Sequence, residues 1–216
     1  MARTTNAVRA RYEYDKRAMR YRDRRTGVWV KTASVKAATT RVINGVRKDM
    51  RALADDMAKG RIKLADWQRR MEQEIKSLHV SMAMAGAGGM GQMTQADYGR
   101  VGRRLRFEYE RLARFAEQIK TGTTTLGAIR ARVDMYITSG HTTHEDARRA
   151  QAIEEGYTHE RNVLGNTDHH CTDGERPGCT EMTKMGVVPL GTLTPPGRRQ
   201  CISRCDCSIR YSRITR

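Results

Sequence analysis

The sequence predicts a mainly α protein: an extended helical body, a flexible basic arm ahead of it, and a small cysteine-rich α+β or β module behind it. Three observations carry this. Apolar residues recur at three- and four-residue intervals through much of residues 34–155, which marks the faces of helices. Residues 1–31 hold ten Lys/Arg against three acids. All five cysteines fall after residue 170. The divisions are therefore 1–33 for the arm, 34–160 for the helical body with a hinge near 86–93, and 161–216 for the module.

The arm interleaves Tyr12, Tyr14, Tyr21 and Trp29 with arginines, and its apolar residues have no helical period. Arg24 to Val30, with Thr26-Gly27 inside it, reads as a turn leading into a short strand. The segment is expected to be disordered alone and to order on a partner. Arg9, Arg11, Lys16, Arg17, Arg20, Arg22, Arg24 and Arg25 are the candidate nucleic-acid contacts. Docking on an acidic protein surface is the rival use of the same charge.

Ser34 to Lys59 is the first helix, with Val35, Val42, Val46, Met50, Leu53 and Met57 on its apolar face. Ser34 is a fitting cap and Gly60 a fitting stop. Leu64 to Ala85 is the second, with a stripe of Leu64, Trp67, Met71, Ile75, Leu78, Met82 and Ala85. The four-residue link between them forces an antiparallel hairpin. Gly86-Ala87-Gly88-Gly89-Met90-Gly91 interrupts the pattern and lacks the Lys-Ser/Thr of a phosphate loop, so it reads as a hinge. Thr94-Gln95-Ala96-Asp97 resembles a capping box and opens a third helix through Lys120, with Tyr98, Val101, Leu105, Leu112, Ala116 and Ile119 inward. A fourth runs from Leu126 to Glu155 on Ile129, Val133, Tyr136 and Ile137, with a kink at Ser139-Gly140 and a stop at Gly156. With two Phe and two Trp the core reads as incomplete, and Trp67 to Met82 is the stripe expected to be shared with a partner.

In the last fifth, Met185 to Gly191 is a short apolar run bounded by glycines and reads as a strand or hairpin. A region this small needs a staple. Cys201, Cys205 and Cys207 place three thiols within seven residues, and a turn around Cys171 and Cys179 brings two more. Four ligands for one tetrahedral Zn2+ can be drawn from these five cysteines, with His169 or His170 as substitutes. Disulfides and unligated thiols are the alternatives; five is an odd number for full pairing.

The net charge of +17 and mean hydropathy of −0.73 imply a polyanionic neighbour or a solvated basic surface. No run of 18 apolar residues exists, so no membrane is expected. No secretory signal opens the chain, which points to a cytosolic setting and favours metal over disulfide. No catalytic constellation emerges: there is no Gly-x-Ser-x-Gly, His-Glu-x-x-His or nucleotide fingerprint, so an enzyme is not expected. Asp168-His169-His170-Cys171 spells the signature of protein palmitoyltransferases, but those need transmembrane helices. A zinc nuclease of the His-Asn-His type needs a further histidine downstream, and none follows His170.

One resemblance remains. Glu160-Arg161-Asn162-Val163-Leu164-Gly165, Asp168-His169-His170-Cys171, Gly186-Val187-Val188-Pro189-Leu190-Gly191 and Arg199-Gln200-Cys201-Ile202-Ser203-Arg204-Cys205-Asp206-Cys207 together resemble the C-terminal module of tailed-phage minor head proteins, the Mu F-like head morphogenesis family. The family's first cysteines are commonly two residues apart; here Asp173 to Gly178 widens the gap. The resemblance implies a structural protein of the phage head, in the host cytoplasm during assembly, present in several copies. It implies contact with the portal or major capsid protein and with viral DNA. The competing readings are a zinc-containing nucleic-acid-binding regulator and, behind it, a zinc nuclease.

Overall fold

Four long helices carry the chain from Thr32 to Glu154: α1 (Thr32–Ala58), α2 (Leu64–Gly86), α3 (Gln95–Lys120) and α4 (Leu126–Glu154). The computed structural model describes residues 11–18, 20–165, 170–201 and 207–214, the Lys36 side chain excepted. α2 is the central helix and packs against the other three. Its stripe of Trp67, Met71, Ile75, Leu78 and Met82 is at most 1% exposed. Val42, Val46 and Met50 of α1 cover it, with Leu112 and Phe115 of α3 and Val133, Tyr136 and Ile137 of α4. The expectation that this stripe waits for a partner is therefore overturned. Each such side chain contributes about 1.5–3 kcal/mol on burial, and methionines fill the space that aromatics would otherwise take.

The helix ends follow local chemistry. Gly60 (φ 68°) closes α1: its N–H donates to Met57 O at 3.0 Å and Arg61 N–H to Asp56 O at 2.8 Å. Thr94 and Asp97 form the reciprocal cap expected at α3, with Asp97 N–H to Thr94 Oγ1 at 3.3 Å and Thr94 N–H to Asp97 Oδ2 at 2.9 Å. α1 starts earlier than expected. Lys31 occupies its N-cap without a side-chain cap, because the chain enters the helix directly from a strand that ends at Val30. α4 runs through Ser139-Gly140 unbroken. A Cβ on Gly140 would sit 2.8 Å from Leu78, so this glycine lets α2 and α4 approach closely.

The basic segment described from Arg11 onward is ordered. β1 (Tyr12–Asp15), β2 (Arg20–Asp23) and β3 (Trp29–Val30) form an antiparallel sheet in the order β1-β2-β3. Its period is two, with Tyr12, Tyr14, Tyr21 and Val30 on one face. Tyr12, Tyr21 and Val30 pack on Val35 and Ala38 of α1. The glycines expected to act as a hinge carry a packing role here. Tyr14 N–H donates to Gly88 O at 2.6 Å, and a Cβ on Gly89 would lie 2.8 Å from Tyr12 O. No other residue type allows β1 that close.

The C-terminal module is a second antiparallel sheet, β5-β4-β6, from β4 (His159–Val163), β5 (Val187–Pro189) and β6 (Ser208–Ser212), with the short helix α5 (Cys179–Lys184) against β4. It is clamped to α4. Arg149 holds the fully buried Glu160 of β4 through two contacts of 3.2 Å and reaches Leu193 O at 2.7 Å. Arg148 donates to Ile209 O at 3.2 Å.

Candidate metal centre

Three cysteines distant in sequence meet at one point. The sulfurs of Cys171, Cys179 and Cys201 all lie within 4.8 Å of one another. Cys179 Sγ is 3.4 Å from Cys201 Sγ, well beyond the ~2.05 Å of a sulfur–sulfur bond. Cys179 opens α5 and is 1% exposed; Cys171 and Cys201 are partly exposed. Such a group can hold a metal ion.

The loop between Cys171 and Cys179 explains how so wide a spacing serves one site. Asp173 Oδ1 accepts from Gly178 N–H at 2.5 Å. Arg176 N–H donates to Gln200 Oε1 and Gln200 N–H to Pro177 O, both at 3.1 Å, which clips the loop to the residue before Cys201. Thr180 donates to Cys171 O through its N–H at 3.1 Å and its hydroxyl at 3.2 Å. A Cβ on Gly178 would collide with the backbone of Thr172 and Asp173, so the return of the chain onto itself requires glycine there. Burial alone would raise the Cys171 thiol. The net shift is downward, because the N–H of Cys179 at 3.2 Å, together with Cys201, donates to its sulfur. A sulfur so placed is disposed to the thiolate form that binds metal.

A fully buried arginine stands behind the cluster. Arg199 donates from Nη1 to Asn162 Oδ1 and from Nε to Thr194 O, both at 2.7 Å, and its Nη1 lies 3.8 Å from Cys179 Sγ. Its Nη2 is buried with no hydrogen-bond partner among the described residues. Asn162 is itself fixed by donating to Thr183 Oγ1 at 2.7 Å and Cys179 O at 3.2 Å. No carboxylate among the described residues pairs with Arg199. A buried guanidinium without a counter-charge costs several kcal/mol, on the order of 3–5 when a partner is removed. The Nη1 of Arg199 instead faces the sulfur of Cys179. Arg199 and Asn162 were not singled out from the sequence as site residues. Their signal was a polar residue inside otherwise strand-like or cysteine-flanking stretches.

Of the other candidate ligands, Cys207 and His170 do not join this group; Cys207 leads directly into β6, whose register pairs Ser208 with Val163. Cys205 and His169 lie outside the described residues.

Four of the basic candidates have partners within the first sheet. Arg11 pairs with Asp23 at 2.8 Å and Arg24 with Glu13 at 3.6 Å. Arg20 and Arg22 lie over the Trp29 ring at 5.8 and 6.0 Å, opposite Asp15 and Glu13 on β1. Lys16 and Arg17 sit in the β1–β2 turn and Arg25 in the β2–β3 turn, exposed. Arg9 lies outside the described residues.

A buried polar cluster also crosses the helical body. His79 Nδ1 lies 2.7 Å from Thr143 Oγ1 and Nε2 3.5 Å from Ser139 Oγ. Ser139 donates to Glu108, which pairs with Arg104 at 3.0 Å. Burial, with Arg104 nearby, holds His79 neutral, its pKa down at about 3. The Glu108 carboxylate accepts from the Ser139 hydroxyl rather than from the imidazole, which is not the acid–imidazole–hydroxyl order of a serine triad.

No protein-family model, curated protein or solved structure matches this chain.

Proposed function

We propose that the protein is a structural minor head protein of a tailed bacteriophage. It works at the portal or the inner capsid wall, in several copies, in head assembly and in genome packaging or delivery. The observation that carries this reading is where the resembling motifs fall. Glu160 and Asn162 of the first motif are the inward residues of β4. Val187 to Pro189 of the third is β5, and Arg199 and Cys201 of the last stand at the cysteine cluster. The motifs thus coincide with the parts that build one module, rather than being scattered over the surface.

In this reading the cluster takes one Zn2+. Sulfurs around tetrahedral zinc at about 2.3 Å stand roughly 3.8 Å apart, close to the spacing here. Cys171, Cys179 and Cys201 would hold the ion, with a fourth ligand from Cys205 or from His169. Bound zinc would supply a cross-link between the loop before α5 and the chain before β6, and Arg199 would offset the negative charge of the thiolates. With four protein ligands no position stays open for water, so the role is structural. The exposed basic turns, Lys16, Arg17 and Arg25, would face viral DNA. Quantitative mass spectrometry of particles from the phage that encodes the chain tests the reading. It expects the protein in heads or proheads at a fixed ratio to the portal, and its absence from both overturns it. Elemental analysis of protein purified under reducing conditions expects about one zinc per chain.

A further inference from the structure

A concave site unrelated to the cysteines lies on the helical body. It is a cavity of about 330 Å3, lined by Arg100, Arg103, Arg104 and Phe107 of α3, by Asp97 and Asp146, and by Arg198 from the loop after β5. The α3 spacing of three, one and three residues puts its three arginines and Phe107 on one helical stripe. Arg198 crosses from the C-terminal module to complete the wall and donates to Asp146 at 2.7 Å.

The charges there do not balance. Arg100 pairs with Asp97, Arg104 with Glu108 behind the wall, and Arg198 with Asp146. Arg103, at the rim, has no ion pair among the described residues, so one positive charge of the lining is left over. Arg111, outside the lining, adds a second such charge 5.3 Å from the Phe107 ring centre. The crowding is felt by Arg104, whose pKa is lowered by burial and then by Arg198 and Arg111, against the pull of Glu108 and Asp146. Phe107 is 44% exposed and lies between Arg104 and Arg111, which holds its ring at the mouth of the cavity.

We propose that this cavity binds one nucleotide unit, its phosphate on Arg100, Arg103 and Arg198 and its base stacked on Phe107. A phosphate monoester carries about −1.5 to −2 at neutral pH, which Arg103 together with the neighbouring Arg111 would offset. Guanidinium groups meet phosphate oxygens in pairs of hydrogen bonds, and bases stack on aromatic rings whatever their sequence. A volume of this size suits one small ligand and excludes a duplex. The proposal does not depend on the phage reading or on the N-terminal basic turns.

The test uses the full chain and isothermal titration with inorganic phosphate, deoxyadenosine monophosphate, and an eight-residue oligothymidylate with or without a 5′-phosphate. Saturable binding at one site per chain is expected, tighter for the nucleotide than for phosphate. Arg103→Ala, which breaks no internal contact, should weaken both by about tenfold, the loss of one charged hydrogen bond. Phe107→Ala should weaken the nucleotide and leave phosphate unchanged. Preference for the mononucleotide identifies a free ligand; preference for the 5′-phosphorylated oligonucleotide identifies a strand end. Absence of saturable binding by every probe, or equal affinity in Arg103→Ala with the helical circular dichroism intact, overturns the proposal.

Discussion

Lowering the pH from 7.5 to 5.0 should cost the helical body stability through His79. The ring is fully buried among Ser139, Thr143 and the Arg104–Glu108 pair, and its native pKa lies at about 3 against an ordinary value of 6.5. Between those two values the unfolded chain holds a proton that the native chain does not. Stability therefore falls as pH falls below about 6.5 and goes on falling towards 3. From pH 7.5 to 5.0 the linkage relation gives a loss of about 2 kcal/mol from this one residue. Urea unfolding followed by helical circular dichroism reads it directly. Other titrating groups also shape the total pH dependence, so the quantity to compare is the difference from His79→Gln, which keeps hydrogen-bonding capacity without the titration. The variant should lose about 2 kcal/mol less than the native chain over the interval. Equal pH slopes in the two proteins would refute the argument and mean that the imidazole is hydrated or already protonated in the native state.

Arg199→Met removes the charge behind Cys179 and leaves Asn162 Oδ1 unpaired. It should lower metal affinity by about 10- to 100-fold in a chelator competition, and unchanged affinity would mean that Arg199 serves packing alone. Glu160→Gln breaks the buried clamp to Arg149 and should destabilise the chain by about 3–5 kcal/mol in urea unfolding; a loss under 1 kcal/mol would mean that water reaches the pair. Gly140→Ala puts a methyl 2.8 Å from Leu78 and should cost about 1–3 kcal/mol, against a gain if α4 were free there. If the N-terminal turns contact DNA, the combined change of Lys16, Arg17 and Arg25 to Ala should reduce the slope of log K against log salt by about 3. An unchanged slope moves that interface elsewhere.

The four helices were legible because their apolar residues keep one period and their ends carry local signals, as at Gly60 and at Thr94 with Asp97. The first strands were not, because a search for helical period passes over Tyr12, Tyr14 and Tyr21, whose period is two. β4 was missed for a different reason. Its inward residues are Glu160 and Asn162, so the usual rule of apolar inside gives the wrong sign. Tyr98, assigned to the inward stripe of α3, is 46% exposed, while Glu108 occupies an inward position between Leu105 and Leu112. That acid was visible as a break in the stripe. Convergence of Cys171, Cys179 and Cys201 followed the expectation from composition. The loop that makes a seven-residue gap workable depends on Gly178 and Gln200, which no spacing rule points to.

The charge surplus also reads differently once partners are known. A net +17 suggests a surface covered with free cations. Yet Arg104, Arg148, Arg149 and Arg199 work inside the molecule, joining α3 to α4 through Ser139, α4 to the central strand and one edge of the C-terminal sheet, and β4 to the cysteine cluster. An arginine can do this because its stem packs against apolar neighbours while its planar head satisfies several acceptors at once. In a chain with few large aromatics, such clamps fasten elements that a small core cannot hold by area alone. Each clamp removes a cation from the count available to an external polyanion. Among the cations that remain exposed are the turns carrying Lys16, Arg17 and Arg25, and Arg103 at the rim of the cavity. Binding should therefore follow where such cations are grouped rather than the total charge.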